Sequence, residues 1–344
     1  MLAAAVALAC ALPARLAAQA DEDSLSLFEI YGRVNVTYER IGVSGRPSSY
    51  EVVDNTSRLG LRGAKDLGGG LRALFQVESR IRLDTGGALW ASRQSYAGLQ
   101  GEFGSVRLGR WSGPVYRFMY EYISLHNHNS GSSTDVFVAR AVRGNQEVMD
   151  NLLWYTSPKL GPVTAHIAYS LLREEPLPGM SQPRNVGLVV AYDEGPLHLA
   201  ASHADTRNTS NLGGGTPNQD QATTIRCLYR MSAVVVGALF ERATSKLLAD
   251  ETHRNYFRVS TMVPVDKHEF HVNLGQVNHR LDAKLSDDGA VQWTLAYNYN
   301  ITKETKVYTF YTTVNNDDKG NYGFKTNTPG VDNKSVALGL RHNF

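Results

Sequence analysis

The last eleven residues, Lys334 to Phe344, constrain the fold of this chain more than any other stretch. Val336, Leu338, Leu340 and Phe344 share one parity, with His342 the polar exception, while Ser335, Gly339, Arg341 and Asn343 hold the other. A period of two means a strand with one apolar and one wet face. A strand of this kind that ends on an aromatic carboxyl-terminal residue fits the closing strand of a transmembrane β-barrel, where aromatics gather in girdles at the bilayer interface. A half-buried strand of a soluble sheet alternates in the same way, so the rest of the chain has to decide.

The rest repeats the pattern. Strand-like segments are joined alternately by tight turns and by long polar stretches. The turns are Asp66–Gly70, Gly101–Gly104, Ser157–Pro162, Asp193–Pro196, Arg230–Ala233, Pro264–Asp266 and Asn300–Lys303. The long stretches include Ser44 to Thr56, Asp205 to Asp220 and Asn315 to Asn333. Short turns at one end and long loops at the other describe an up-and-down barrel. Seven such turns imply sixteen antiparallel strands once the terminal ones are added. Each strand with its connection then takes about 20 residues, ample for a ~10-residue span.

Residues 1–20 are read as an export leader. Leu2 to Leu12 is nearly all Ala, Val and Leu, and Ala18-Gln19-Ala20 is a small-residue cleavage pattern, although no Lys or Arg precedes the apolar run. The barrel domain is then 21–344. No later run approaches the ~20 apolar residues of a membrane helix. The mean hydropathy of −0.29 reads as soluble, but a barrel escapes that test because lumen-facing residues dilute its lipid-facing ones. The net charge of +2 includes Arg15 in the leader and gives no reason to expect a nucleic-acid partner. Of the two cysteines only Cys227 follows the leader, which excludes an internal disulfide and a Cys-based metal site. It shares the parity of Ile225 and Tyr229 and is expected to face lipid.

Parity assigns the faces. In the first strand Ile30, Gly32, Val34, Val36 and Tyr38 point outward, and Glu29, Tyr31, Arg33, Asn35 and Thr37 inward. In the third, Leu71, Ala73, Phe75, Val77 and Ile81 alternate with Arg72, Gln76, Glu78, Arg80 and Arg82. In the fourteenth, Val291, Trp293, Leu295, Tyr297 and Tyr299 alternate with Gln292, Thr294, Asn298 and Asn300. Several arginines thus fall inside on the first strands: Arg33, Arg58, Arg62, Arg72 and Arg80, with Arg93 opening the fourth strand and Arg110 ending the fifth. A guanidinium stays charged and is weakly hydrated. A column of them on one wall raises the local concentration of anions. Taken singly, each is also explained as a solvated charge.

The connection from Trp111 to Asp150, about forty residues, is far longer than ordinary loops, and such loops are usually functional or disordered. Its aromatic residues, Trp111, Tyr116, Phe118, Tyr120, Tyr122 and Phe137, give it anchors. Folded into the lumen it would narrow it, with Tyr116, Arg117, Tyr120, Glu121 and Asp135 as constriction-loop residues. Its acids Glu121, Asp135, Glu147 and Asp150 would then oppose the arginines. The other reading is a loop that covers the mouth. His126-Asn127-His128 resembles a metal pair without a third ligand and is read as exposed loop histidines. No Ser/His/Asp spacing supports catalysis, and Gly68–Gly70 and Gly213–Gly215 lack the context of a phosphate loop.

Two runs carry a family resemblance: Asn55-Thr56-Ser57-Arg58-Leu59-Gly60-Leu61-Arg62-Gly63, and Asp66 to Glu78 with its Gly68-Gly69-Gly70-Leu71-Arg72. Arg93-Gln94-Ser95-Tyr96-Ala97-Gly98-Leu99 and Phe103 to Arg110 extend it, with Tyr31-Gly32-Arg33 and Phe344 at the two ends. These resemble the Gram-negative general porins of the β-proteobacterial type. The resemblance implies a sixteen-stranded trimeric barrel whose third external loop folds into the pore. It implies constriction basics at Arg33, Arg58 and Arg93, and an assembly signal at Phe344. Two features depart from the family pattern. Asp150 stands before Asn151 where an arginine is frequent, and the Pro-Glu-Phe-Gly-Gly motif of enterobacterial relatives is absent.

The expected function is passive outer-membrane diffusion of small hydrophilic solutes and ions with an anion preference, without a cofactor. Expected partners are two further copies of the chain, outer-membrane lipid and lipopolysaccharide, and the permeating anions. A solute-specific channel with Tyr116 and Tyr120 as a binding track, and an adhesin or antigen barrel acting through its loops, are the alternatives.

Overall fold

The computed structural model describes residues 28–121, 123, 125–126, 128–137, 148–176, 181–209, 218–247, 250–278 and 287–344. Residues 1–20, read above as a leader, and Tyr122, Asn127, Glu147 and Gly213–Gly215 lie outside them.

Eighteen strands are found among the described residues. In chain order they are β1 (Glu29–Val43), β2 (Ser49–Asp54), β3 (Arg58–Gly68), β4 (Leu71–Ile81), β5 (Ala88–Leu89) and β6 (Ser95–Gly101). Then come β7 (Gly104–Trp111), β8 (Met149–Thr156), β9 (Val163–Leu171), β10 (Arg184–Glu194), β11 (Leu197–Arg207) and β12 (Asn218–Arg230). The last are β13 (Val235–Leu247), β14 (Asp250–Val265), β15 (His268–Val277), β16 (Ala290–Asn300), β17 (Thr305–Asn316) and β18 (Asn333–Asn343). Consecutive strands pair antiparallel except β2 with β3 and β5 with β6, and β18 returns to β1, so the sheet closes.

The eighteen segments fill sixteen wall positions. β2 and β3 both pair with β1, one above the other, and β5 and β6 both pair with β4. The second and fourth walls are therefore broken, and β2 is a correction, since it lies within Ser44 to Thr56, which the sequence reads as a long connecting stretch. The first break holds Thr56 at φ 61° and the second Ala91 at φ 48°. Side chains repair the lost ladder. The Asn35 N–H donates to Ser57 Oγ at 3.0 Å, the Ala91 N–H to Ser79 Oγ at 3.0 Å, and the Arg80 N–H to Ser92 Oγ at 3.1 Å. All seven short turns fall where the sequence places them.

Closure matters because hydrocarbon offers no partner to a free backbone group. The Gly32 N–H donates to Phe344 O at 2.8 Å and the Phe344 N–H returns to Gly32 O at 3.1 Å. A Cβ on Gly32 would stand 2.4 Å from Cζ of Phe344. Only glycine admits that ring, so the gap at Gly32 is filled from within the same chain and is not an open small-residue face.

Outward residues are apolar and exposed, among them Ile30, Val190, Ile225, Val272 and Leu338. Cys227 sits between exposed Ile225 and Tyr229 on that face and is a free thiol. Trp293 and Tyr311 touch at 5.1 Å between ring centres, and Tyr38 stacks on Tyr50 at 6.3 Å, both on the outward parity. Inward residues are polar and mostly buried, because the segment after β7 occupies the interior.

Candidate functional site

That segment enters as a turn of π-helix at Tyr116–Glu121 and later forms a 3-10 turn at Gly131–Ser133. It runs along the inner wall in dents left by glycines. Val115 rests against Gly187 of β10, Ile123 against Gly237 of β13, and Phe137 against Gly275 of β15. Buried polar contacts fix it. Arg226 donates to the Phe118 carbonyl through Nε, a short contact, and Tyr120 donates to Glu241. Arg258 pairs with Asp135 at 2.8 Å, and Tyr256 donates to the same carboxylate. Gln292 accepts from the Val136 N–H at 3.1 Å and donates to Thr134 O at 3.1 Å.

At β1 the buried Glu39 accepts from the Ser132 N–H at 3.3 Å, and Asn35 donates to Asn129 O at 2.7 Å. Gly131 is required there: at φ 69°, a Cβ would sit 2.0 Å from Glu39 Oε1. His126 is buried beside His271, Tyr308 and Phe310. His128 meets the Tyr116 hydroxyl at 3.1 Å. The two histidines therefore sit inside the barrel, contrary to the expected exposed pair. Among the described residues no three His, Cys, Asp or Glu side chains converge as a metal would need.

Beside this segment, on β1, β3, β4, β17 and β18, lies an arc of cations. The register aligns Arg33 of β1 with Arg58 of β3, and Arg58 with Arg80 of β4. It also aligns Lys306 of β17 with Arg341 of β18, and Arg341 with Asn35. Side chains directly opposite on neighbouring strands are about 5 Å apart at Cβ, so these charges share one level of the lumen. Arg93, in the break before β6, is drawn to the same place by its backbone, whose N–H donates to Glu78 O at 3.0 Å.

Glu78 is the hub. Its Oε1 accepts from Nε of Arg93 at 2.7 Å, and its Oε2 lies 3.4 Å from Nε of Arg58 and accepts from the Tyr31 hydroxyl at 2.9 Å. Arg80 reaches Asp54 at 3.8 Å. Arg33 has a neutral partner, donating to Asn343 at 2.8 Å, and Lys306 lies 5.8 Å from the centre of the Tyr308 ring. Glu121, at the end of the π-helical turn, is an electrostatic neighbour of Arg33 and Arg341. Periodicity shows Glu78 and Arg341 on the wet face. It does not show that they join one cluster, because that depends on inter-strand register.

Other expected positions lie elsewhere. Arg62 pairs with Glu29 at 2.8 Å and covers the Tyr31 ring at 4.7 Å, towards the short-turn end. Arg72 stands eight residues from Arg80, about 27 Å along an extended strand, beside the Asp66–Gly70 turn. Arg110 is a correction. It lies on the outward parity of Val106 and Leu108, half-exposed and paired with Asp150, which an extra residue in β8 opposite Gly109 and Trp111 turns to the same side. Asp150 therefore does not oppose the arc, and Asp135 does not either, since its carboxylate is committed to Arg258. Arg117 lies over the Trp111 ring at 5.3 Å. Tyr116 and Tyr120 are buried, which removes them as a solute track. Arg107, which alternation with Val106 and Leu108 sets inside, is missing from the expected residues and is buried at 4.8 Å from the Trp111 ring.

A family model described as Gram-negative porin matches residues 3–319. Outer membrane porin protein 32 of Delftia acidovorans is 29% identical over 365 aligned positions, spanning 98% of this chain and 99% of that relative. The major outer membrane protein P.IB of Neisseria meningitidis serogroup B is 37% identical over 89 residues, 26% of this chain and 24% of that protein. The structure of an anion-selective porin from Comamonas acidovorans is similar at TM-score 0.80 and 25% identity, covering 92% of this chain and 99% of that one. Salmonella typhi OmpF in complex with daunomycin shares the fold at TM-score 0.70 and 17% identity, covering 92% and 97%. With a family match over most of its length and a relative aligned nearly end to end, this chain belongs to the Gram-negative porins, proteins of the bacterial outer membrane.

Proposed function

We propose that the chain is a passive, anion-preferring diffusion channel for small hydrophilic solutes. The observation that carries this reading is the charge lining the lumen. Arg33, Arg58, Arg93, Arg341 and Lys306 stand on neighbouring strands, and Glu121 on the inward segment lies near Arg33 and Arg341. A field of this kind guides ions in a narrow wet passage where charges are screened less than in bulk water. Size selection falls to the segment after β7. Its anchors on β12, β13, β14, β16 and β1 support a fixed constriction. The similar Comamonas porin is anion-selective, which supports the sign.

The unit is read as a homotrimer, as in the trimer form of Vibrio cholerae OmpT, in contact with outer-membrane lipid and lipopolysaccharide. The barrel domain is 21–344 after removal of residues 1–20. The reading needs no cofactor, nucleic acid or catalytic step. Burial of Tyr116 and Tyr120 disfavours a solute-specific aromatic track. The test is the reversal potential of the purified channel across a KCl gradient. An anion-selective value with linear, non-saturating conductance is expected, and a cation-selective value at low salt would overturn the reading.

A further inference from the structure

The first turn of the inward segment sits on a buried cluster that the channel reading does not use. Tyr96 of β6, Arg107 and Trp111 of β7, Trp154 of β8 and His166 of β9 are all buried. The register sets Arg107 opposite Trp154, and Thr156 opposite His166. Trp111 stacks on Tyr96 at 4.4 Å between ring centres and lies 4.6 Å from Trp154. Phe118 of the π-helical turn covers the cluster, 4.1 Å from the His166 ring and edge-on to Trp154 at 6.4 Å.

Two guanidiniums share the Trp111 indole, Arg107 at 4.8 Å and Arg117 at 5.3 Å from its centre. Both also act electrostatically on His166, and Asp193, the acid that acts there with them, is engaged by His198 at 2.7 Å. The potential in the cluster is therefore positive, which favours an anion. Three nitrogens of the cluster call for one. Nε1 of Trp111, Nε1 of Trp154 and Nε2 of His166 are buried and have no hydrogen-bond partner among the described residues.

An indole N–H can only donate. Thr156 Oγ1 meets Nδ1 of His166 at 3.1 Å, and with that hydroxyl donating, Nε2 carries a hydrogen as well. Buried donors without an acceptor are costly and rare. A water molecule taking these hydrogens would have two of its own to place, whereas an anion has none. The close packing of the rings favours a one-atom anion over a branched oxyanion.

We propose that Trp111, Trp154 and His166, in the field of Arg107 and Arg117, bind a halide beneath the base of the inward segment. The occupant ties the π-helical turn to the wall, as the Asp135–Arg258 pair does further along. The site lies on β6 to β9, apart from the arc on β1, β3, β4, β17 and β18. It does not depend on the ion preference of the pore.

The experiment uses the folded channel in detergent with Trp90→Phe and Trp293→Phe, which leaves Trp111 and Trp154 as its tryptophans. Sodium iodide replaces sodium fluoride at constant ionic strength, and tryptophan fluorescence is read. A bound iodide quenches saturably and is displaced by chloride, whereas chance collisions quench linearly. Half-saturation is expected about tenfold higher in Arg107→Gln, which loses a charge. It is expected about fivefold higher in Trp154→Phe, which loses one donor and keeps a ring. Linear quenching of the parent would overturn the proposal and leave the nitrogens to water. Loss of the saturable component in Arg33→Ser would place the iodide at the arc, and the proposal would fail. Heat-modifiable mobility on gels shows whether Arg107→Gln folds. If that variant is unfolded, Trp154→Phe decides, and a half-saturation equal to the parent's would overturn the proposal. Loss of anion preference in conductance, with saturable quenching intact, would defeat the channel reading alone.

Discussion

Glu78 holds Arg93 and Arg58 together: its two oxygens lie 2.7 Å from Nε of the first and 3.4 Å from Nε of the second. One carboxylate thus neutralises much of the charge of two guanidiniums on neighbouring wall positions. The arc is uneven as a result, and Arg33, Arg341 and Lys306 carry its outward field. Replacing Glu78 by Gln should raise the anion-to-cation permeability ratio by about fivefold, since a neighbouring charge is worth on the order of 1 kcal/mol in such a lumen. Reversal potentials in dilute KCl report it. An unchanged ratio would mean that permeating ions do not sense Glu78.

The same asymmetry ranks the basic residues. Arg33→Ser and Arg341→Ser should each lower anion preference more than Arg93→Ser, whose charge is already opposed. The triple Arg33, Arg58 and Arg93 to Ser variant should abolish or reverse the preference, and Glu121→Gln should strengthen it. Exposed charges are screened beyond ~10 Å at 0.1 M salt, so the ranking is to be read at low ionic strength. Equal effects from all three single variants would refute it.

Asp135 and Arg258 form a buried pair that fastens the inward segment to the far wall. Breaking one side leaves an uncompensated buried charge, at a cost of about 3–5 kcal/mol. Asp135→Asn should therefore lower the thermal stability of the folded barrel and add current noise. The Asp135→Asn/Arg258→Met double variant should recover part of the stability. A double variant less stable than Asp135→Asn would contradict this account.

Acid should loosen the same segment. Burial, together with nearby His271 and Lys306, holds the His126 imidazole well below its ordinary range, with Glu269 and Asn298 opposing. The docked segment thus keeps His126 neutral, while a released one takes up a proton near pH ~6.5. Docking is fully stable above that value and weakens as pH falls below it. Single-channel noise should rise between pH 7 and pH 5, and His126→Gln should flatten the dependence. Identical pH profiles for both proteins would assign the effect to another group.

Phe344 closes the barrel against Gly32, so the two should fail together. Deleting Phe344, or changing Gly32 to Val, should reduce folded protein in the outer membrane and leave unfolded chain in the periplasm. Heat-modifiable mobility on gels measures this. Normal folded yield from Gly32→Val would show that the ring has another place to go.

Much of this protein is legible from alternation alone. A period of two tells which face each residue takes, and turn residues tell where the chain reverses. Sixteen walls, seven short turns and the inward side of Arg33, Arg58 and Arg80 follow from local chemistry. The breaks at Thr56 and Ala91 do not, because side chains distant in sequence repair them. Arg110 shares the outward parity of Val106 and Leu108, so alternation alone sets it apart from the inward arginines, whereas the shift of register that turns Asp150 outward beside it leaves no mark in composition. Glu78 joins Arg93 and Arg58, and Arg341 comes level with Lys306, only through register between strands. The loop acids divided likewise: Glu121 came to lie near the arginines while Asp135 was taken by Arg258. Sequence determines facing because facing depends on neighbours along the chain, whereas the charge pattern of the pore depends on which strands meet and at what height, and only the closed barrel decides that.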